Sequence, residues 1–316
     1  MTKIYIYKCQ AISYLFLIAG CGGGGGSESA APPVVVSPGT PAPSPAPSPS
    51  PVPEIKTIDF AKDFYLSSDL WLTEQNFIYT DEFNRFRNVP FSSEVITDGR
   101  TAALGYTASP EGVQAVFGGE NWNFPSAPTG STIPYRRYYR DDHSSVAVGW
   151  KARFQYVTAA FLSPPAEIRS INGLSGKLQT GYTGLFGFVS GMTTAPNSLS
   201  YRMIPIMSGS VEPEYAVWGD LRLDLARPTT RSDSVEGYFS VSGVTGQKAS
   251  LTITGTFDAA TNRFVGTMVD RNTGYSGTLK GALYGPSREE LGVVFSFSRS
   301  VDGGLIYTGS ALASKN

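Results

Sequence analysis

Beyond residue 54, apolar and polar positions alternate with a period of two, and turn residues interrupt them about every ten positions. Leu251-Thr252-Ile253-Thr254-Gly255-Thr256-Phe257 alternates, then turns at Asp258-Ala259-Ala260-Thr261-Asn262. Arg263 to Val269 resumes the pattern, Asp270-Arg271-Asn272-Thr273-Gly274 turns again, and Tyr275 to Tyr284 continues it. Consecutive antiparallel strands joined by Asx- and Gly-type turns produce this signal. The same spacing predicts strands over 176–189, 199–207, 218–226, 235–242, 291–298 and 304–311. With 251–257, 263–269 and 275–283 they suffice for an all-β fold, an up-and-down antiparallel barrel of about eight strands. Interior glycines such as Gly255, Gly266 and Gly281 fit the tight coiling of a small barrel. One helical turn is expected at Pro286–Leu291, with proline at its first position.

The stretch 58–165 is less regular and reads as a smaller β-rich region beside the barrel. Phe60–Tyr65 suits a short helix or a turn, and 102–107 and 112–117 form a strand pair around Ser109-Pro110-Glu111. Two more strands are expected at 134–140 and 145–157, with a boundary near Ser163-Pro164-Pro165. The N-terminus differs in kind. Lys3 and Lys8 precede an apolar run, and Ile18-Ala19-Gly20 leads directly into Cys21. That order describes a secretory signal peptide, and the cysteine after it resembles the bacterial lipobox, where the thiol is acylated. The run is shorter than the roughly 20 residues of a membrane-spanning helix. From Gly22 to Pro53, glycines and then alternating Pro, Ala and Ser favour flexible coil and polyproline II. At about 3.1 Å per residue the proline-rich part would reach roughly 60 Å. The expected organisation is a signal peptide over 1–20, a lipidated tether over 21–57, a β-rich region over 58–165 and a barrel over 166–316.

Composition sharpens this picture in two places. Of 316 residues only two are cysteines, Cys9 and Cys21, so removal of the signal and acylation of Cys21 leave no thiol for a disulfide, a metal or a nucleophile. A formal net charge of −1 gives no electrostatic footprint for nucleic acid.

Enzyme chemistry finds little to build on. The single histidine, His143, lies in Arg140-Asp141-Asp142-His143-Ser144, which reads as a charged turn between strands. Gly274-Tyr275-Ser276-Gly277 falls short of a nucleophile elbow, and Asp270–Gly274 lacks the distant glutamate of a calcium loop. No catalytic, metal or cofactor site is expected. Two segments suit binding. Glu120-Asn121-Trp122-Asn123-Phe124-Pro125 reads as a loop presenting Trp122 and Phe124. Tyr135-Arg136-Arg137-Tyr138-Tyr139-Arg140 packs the residue types enriched at interface hot spots, with Tyr135, Arg136, Arg137 and Tyr138 as its candidate residues. Strand alternation alone would instead place alternate tyrosines in the core.

Gly281-Ala282-Leu283-Tyr284-Gly285-Pro286-Ser287-Arg288-Glu289-Glu290-Leu291-Gly292 resembles the signature near the end of the barrel in transferrin-binding protein B-like lipoproteins. Gly255-Thr256-Phe257-Asp258, Gly266-Thr267-Met268 and Gly184-Leu185-Phe186-Gly187-Phe188 fit the same scheme, and Ile133–Arg137 is similar to smaller solute-binding members. The resemblance implies an eight-stranded barrel beside a β handle, display on the bacterial surface, and export through a surface-lipoprotein assembly modulator. It further implies capture of an extracellular protein or nutrient-carrying ligand and its delivery to an outer-membrane receptor. The chain has one lobe, and 194–201 lacks a further segment of the family pattern, so transferrin itself is not expected. The expected function is therefore a non-enzymatic outer-membrane lipoprotein that binds through its loops, anchored in membrane lipid by Cys21. The alternatives are a structural or interaction lipoprotein, and a lipocalin-like carrier with a small molecule in the barrel.

Overall fold

A computed structural model describes residues 56–316 apart from 126–130, 133–134, 150–153, 210–216, 228–229, 244–245, 300–304 and 316. The signal peptide, Cys21 and most of the tether lie outside the described residues. The first part of the chain forms β1 (Phe64–Ser68), β2 (Trp71–Thr80), β3 (Phe86–Val95), β4 (Ala102–Ala108), β5 (Glu111–Phe117), β6 (Glu120–Phe124) and β7 (Ser131–Thr132). Next come β8 (Tyr135–Tyr139), β9 (Ser145–Gly149), β10 (Val157–Ser163), β11 (Glu167–Ile171), β12 (Leu174–Gly187), β13 (Leu199–Met203) and β14 (Ile206–Gly209). The remainder is β15 (Val217–Leu225), β16 (Ser234–Gly243), β17 (Gly246–Asp258), β18 (Arg263–Val269), β19 (Ser276–Tyr284), β20 (Glu290–Arg299) and β21 (Leu305–Ser314). The described residues contain no helix. Phe60 and Ala61 accordingly sit in a turn ahead of β1.

The strands build three sheets. The first has the order β1-β4-β5-β6, and the second β3-β2-β12-β10-β9-β8-β7 with β11 paired to β12. The third runs β13-β15-β16-β17-β18-β19-β20-β21-β14. Its two edge segments, β13 and β14, are consecutive in sequence and are parted only by Ile204-Pro205. They are two halves of one strand. Pro205 has no N–H to offer a ladder, so the strand breaks there; its first half pairs with β15 and its second with β21. The sheet thereby closes into an up-and-down barrel of eight strands, as the alternation predicts. Inward residues including Leu223, Phe239, Leu251, Phe264, Phe295 and Tyr307 form a single buried cluster.

Around β10, the start of β2 and the end of β12 the second sheet is buried on both faces, and its sequence shows how. In β10, Val157 and Ala159 point to the barrel, whereas Ala160 and Leu162 point to the first sheet. In β12, Leu185 faces the barrel and Phe186 the first sheet. This overturns one expectation. The strand anticipated at 176–189 as barrel wall is β12, paired with β2 and β10 in the second sheet. Its apolar side chains on both faces suit a middle layer, not a wall that is wet outside.

On the barrel side the layer meets Ala282, Tyr284 and Val294, which project outward from β19 and β20. Polar contacts fix the register. Glu290 accepts backbone N–H bonds from Gln155, Tyr156 and Val157 at 2.6, 2.9 and 3.1 Å. Burial pushes its carboxyl up, outweighing the pull of those donors. Asp69, between β1 and β2, receives Arg263 at 2.8 Å and Lys280 at 2.9 Å. Burial raises the Asp69 carboxyl, but the hydrogen bonds and charges of Arg263 and Lys280 prevail and hold it at about 2.

The helical turn expected over 286–291 is absent. Residues 285–288 form a tight turn in which Gly285 and Arg288 have positive φ (84° and 61°), and β20 begins at Glu290. Any side chain at Gly285 would also meet the Tyr156 ring, 2.6 Å from its first carbon.

Two outcomes follow. Glu290→Gln replaces one acceptor oxygen by an NH₂ that faces a backbone N–H, so denaturant unfolding should show a loss of about 1–3 kcal/mol. Because the Asp69 pKa is depressed on folding, its contribution is fully present above the ordinary value of 3.8 and is lost as pH falls toward about 2. The urea midpoint of the wild type should therefore fall more steeply on acidification than that of Asp69→Asn.

Candidate functional site

The segments singled out for binding lie on two neighbouring sheets. β6 is the outer strand of the first sheet and pairs only with β5, with Trp122 opposite Ala115 and Phe124 opposite Val113. The expected loop at 120–125 is thus a strand up to Phe124. Spacing of two puts both aromatics on the same inward face. Phe124 is fully buried, which corrects its reading as an outward aromatic, and Trp122 is half-buried against the same cluster. The Trp122 indole N–H is buried without a hydrogen-bond partner, and the Arg140 guanidinium lies 5.7 Å from the ring centroid.

β8 divides its residues between two faces. Tyr138 is buried and donates its hydroxyl to Glu111 Oε1 at 2.8 Å. Arg136, on the same side, forms an ion pair with that oxygen. Burial raises the Tyr138 phenol strongly, and the hydrogen bond and charge of Glu111 add to the effect. Tyr135 turns the other way and packs edge-on against Phe161, with centroids 5.3 Å apart. Burial pushes its phenol up to about 12. Arg137 is exposed, and so is Tyr139.

The structure therefore joins Arg136 and Tyr138 through Glu111, sends Tyr135 elsewhere and buries Phe124. Sequence reasoning missed Glu111, and it took in Tyr139 and Arg140 only as the end of the Tyr135–Arg140 segment. Glu111 follows the Ser109-Pro110 turn, and only the pairing of sheets brings it to β8. Beside β6 and the end of β8 lies an open cleft of about 610 Å³, bordered by Asn121, Asn123, Tyr139, Arg140 and Asp142. Arg140 and Asp142 form an ion pair at 3.0 Å across its rim. The Ser144 hydroxyl and N–H hold the Asp142 carboxyl below its usual range.

His143 sits in the Arg140–Ser144 turn with φ of 67° and is exposed. No three His, Cys, Asp or Glu side chains among the described residues are placed to share a metal ion. Asp270 forms a turn: its Oδ1 accepts the N–H groups of Asn272 and Thr273, and its Oδ2 that of Ser250. The barrel interior carries a ladder of rings, with Phe239 4.8 Å from Phe295 and Phe297 stacked at 5.1 Å on Tyr307.

No family model matches the sequence, and no curated protein matches it. Its structural neighbours include transferrin- and lactoferrin-binding proteins B. A mutant of transferrin-binding protein B from Haemophilus parasuis is 12% identical, with a TM-score of 0.36 over 78% of this chain and 44% of that one. The isotype 1 protein from serogroup B Neisseria meningitidis is 13% identical, with a TM-score of 0.38 over 78% and 43%. The N-lobe of lactoferrin-binding protein B from Moraxella bovis is 12% identical, with a TM-score of 0.35 over 80% and 99%. This chain spans less than half the length of the two transferrin-binding proteins.

Core and surface roles within these segments separate by mutation. Phe124→Ala should cost about 3–5 kcal/mol in chemical denaturation. Arg137→Ala, at an exposed position of β8, should stay within about 0.5 kcal/mol of wild type.

Proposed function

We propose that the chain is a non-enzymatic lipoprotein, anchored through acylated Cys21 in the outer membrane and displayed at the cell surface, that captures an extracellular protein or a nutrient-carrying ligand on its outer face. The observation that carries this reading is the packed barrel interior. Side chains from every wall fill it, so a ligand is held outside the barrel. The exposed Arg137 and Tyr139, with Arg140 at the cleft, supply residue types that dominate binding energy at protein interfaces. The lipobox-like N-terminus and the Gly281–Gly292 segment support surface display, with a surface-lipoprotein assembly modulator and an outer-membrane receptor as partners. A lipocalin-like carrier is the weaker reading, because Phe239, Phe295 and Phe297 stand where its ligand would lie.

Labelled palmitate should enter the wild type and not Cys21→Ser, and external protease should degrade the protein on intact cells. Incorporation into Cys21→Ser would reject the anchor, and full protection would reject surface display. In pull-downs with the lipidated chain, the triple change Arg137→Ala, Tyr139→Ala, Arg140→Ala should lower capture at least tenfold while the melting temperature stays unchanged. Capture that survives the triple change rejects this surface.

A further inference from the structure

The outer face of the first sheet is uncharged over two full rows. Register brings Tyr65, Gly105, Gln114 and Asn123 into one row across the four strands. Ser67, Ala103, Val116 and Asn121 form the adjacent row. None of these eight positions carries a charge, whereas a soluble surface commonly draws about a quarter to a third of its residues from Lys, Arg, Glu and Asp. Glu120, the one acid on β6, belongs by alternation to the opposite face.

The face is also shaped. Tyr65 is 63% exposed, and its ring lies over Gly105; a methyl group there would stand 3.3 Å from the ring. The glycine provides a floor on which the ring rests, one side against backbone and the other toward solvent. Beside it, Gln114 Nε2 donates to Asn121 Oδ1 at 3.1 Å, which fixes both amides and leaves Gln114 Oε1 and Asn121 Nδ2 for a ligand. Asn123, exposed and opposite Gln114, adds a third amide with both donor and acceptor. Asn121 and Asn123 continue into the cleft, where Tyr139 is 48% exposed. The amide row therefore runs from one open tyrosine ring toward another. Three strand steps of about 4.8 Å make the β1-to-β6 span roughly 14 Å.

We propose that this face binds a neutral glycan, an uncharged oligosaccharide chain lying across the first sheet from Tyr65 to Asn123. An open aromatic face accepts the C–H side of a sugar ring, and planar amides pair with hydroxyls as donor and acceptor together. A nucleic acid would require cationic side chains along the track, and the two rows have none. A protein interface draws its centre from large apolar and aromatic side chains, whereas the two central strands here present Gly105, Gln114, Ala103 and Val116, small or polar but for one valine. The site adjoins the protein-capture surface at the cleft but rests on Tyr65, Gln114 and Asn123, none of which that surface uses, so either can fail without the other.

Affinity electrophoresis tests this with the lipidated full chain in detergent. The gels contain an α-glucan, a β-1,3-glucan, a mannan or a galactan, with alginate as the anionic control. At least one neutral polysaccharide should slow the wild type, and alginate should not. Tyr65→Ala with Asn123→Ala should weaken that retardation at least tenfold, as should Gln114→Glu, which keeps size and adds charge. Thr267→Ala on the barrel wall should leave it unchanged, and melting temperatures confirm that each variant is folded. Unaltered mobility in all four neutral gels, retardation that survives the Tyr65 and Asn123 changes, or retardation by alginate alone overturns the proposal.

Discussion

Three backbone N–H groups at the start of β10 converge on one carboxylate, that of Glu290 at the start of β20. Much of the architecture depends on that contact. A middle layer buried on both faces needs strong lateral specification, because apolar packing is non-directional and tolerates sliding. The carboxylate supplies direction: it can be satisfied in one register only. Asp69 repeats the device at the β1–β2 connection, where one acid side chain receives a guanidinium and an ammonium from adjacent barrel strands. Between the two clasps lies the apolar seam of Leu72, Val157, Leu185, Ala282, Tyr284 and Val294. Removing a clasp therefore exposes more than its own bonds, since it frees the layer to shift against the barrel.

The Gly281–Gly292 segment gains a physical meaning from this. Leu283 and Leu291 point into the barrel, while Ala282 and Tyr284 point to the second sheet. Gly285 lets the hairpin pass close to the Tyr156 ring, and its N–H reaches Phe188 O at 3.0 Å. Arg288 is buried at the barrel's end, donating to Asn262 Oδ1 at 2.5 Å and to the carbonyls of Met192 and Thr194. Tyr201 donates its hydroxyl to the Arg288 carbonyl, tying the first barrel strand to the same knot. A short motif thus serves the barrel, its end and its neighbour at once.

The hairpins from 251 to 284 were legible because their inward residues are apolar and their outward residues polar, so period and turn chemistry agree. The same logic misplaced β12. A strand buried on both sides loses the contrast between faces, and Tyr182, Leu185 and Phe186 read equally well as barrel wall. The helical turn at 286–291 was suggested by composition, and tertiary demand overrode it: Glu290 is needed in a strand to meet Gln155, Tyr156 and Val157. At the candidate site, Phe124 and Tyr138 carried residue types common at interfaces, yet alternation against the first-sheet core claimed them. Glu111 could not be found by local reading, since its partners Arg136 and Tyr138 lie 25 and 27 residues away.

These placements bear on where a ligand can be held. An eight-stranded barrel has an interior just wide enough to be filled by side chains, and this one is filled by rings and branched aliphatics. Its exterior is partly covered by the second sheet, whose other face is in part covered by the first. Two layers thus hold the barrel from one side, while the outer face of the first sheet and the end of β8 stay open. The first sheet ends in the single-paired strand β6, and next to it stand Tyr139, turned out by alternation, and Arg140, half-buried beyond the end of β8 with its guanidinium over the Trp122 ring. The surface proposed for binding therefore lies apart from the residues that make the barrel stable. Substitutions there can change what is bound without disturbing the Glu290 and Asp69 clasps, because no described contact links the two sets.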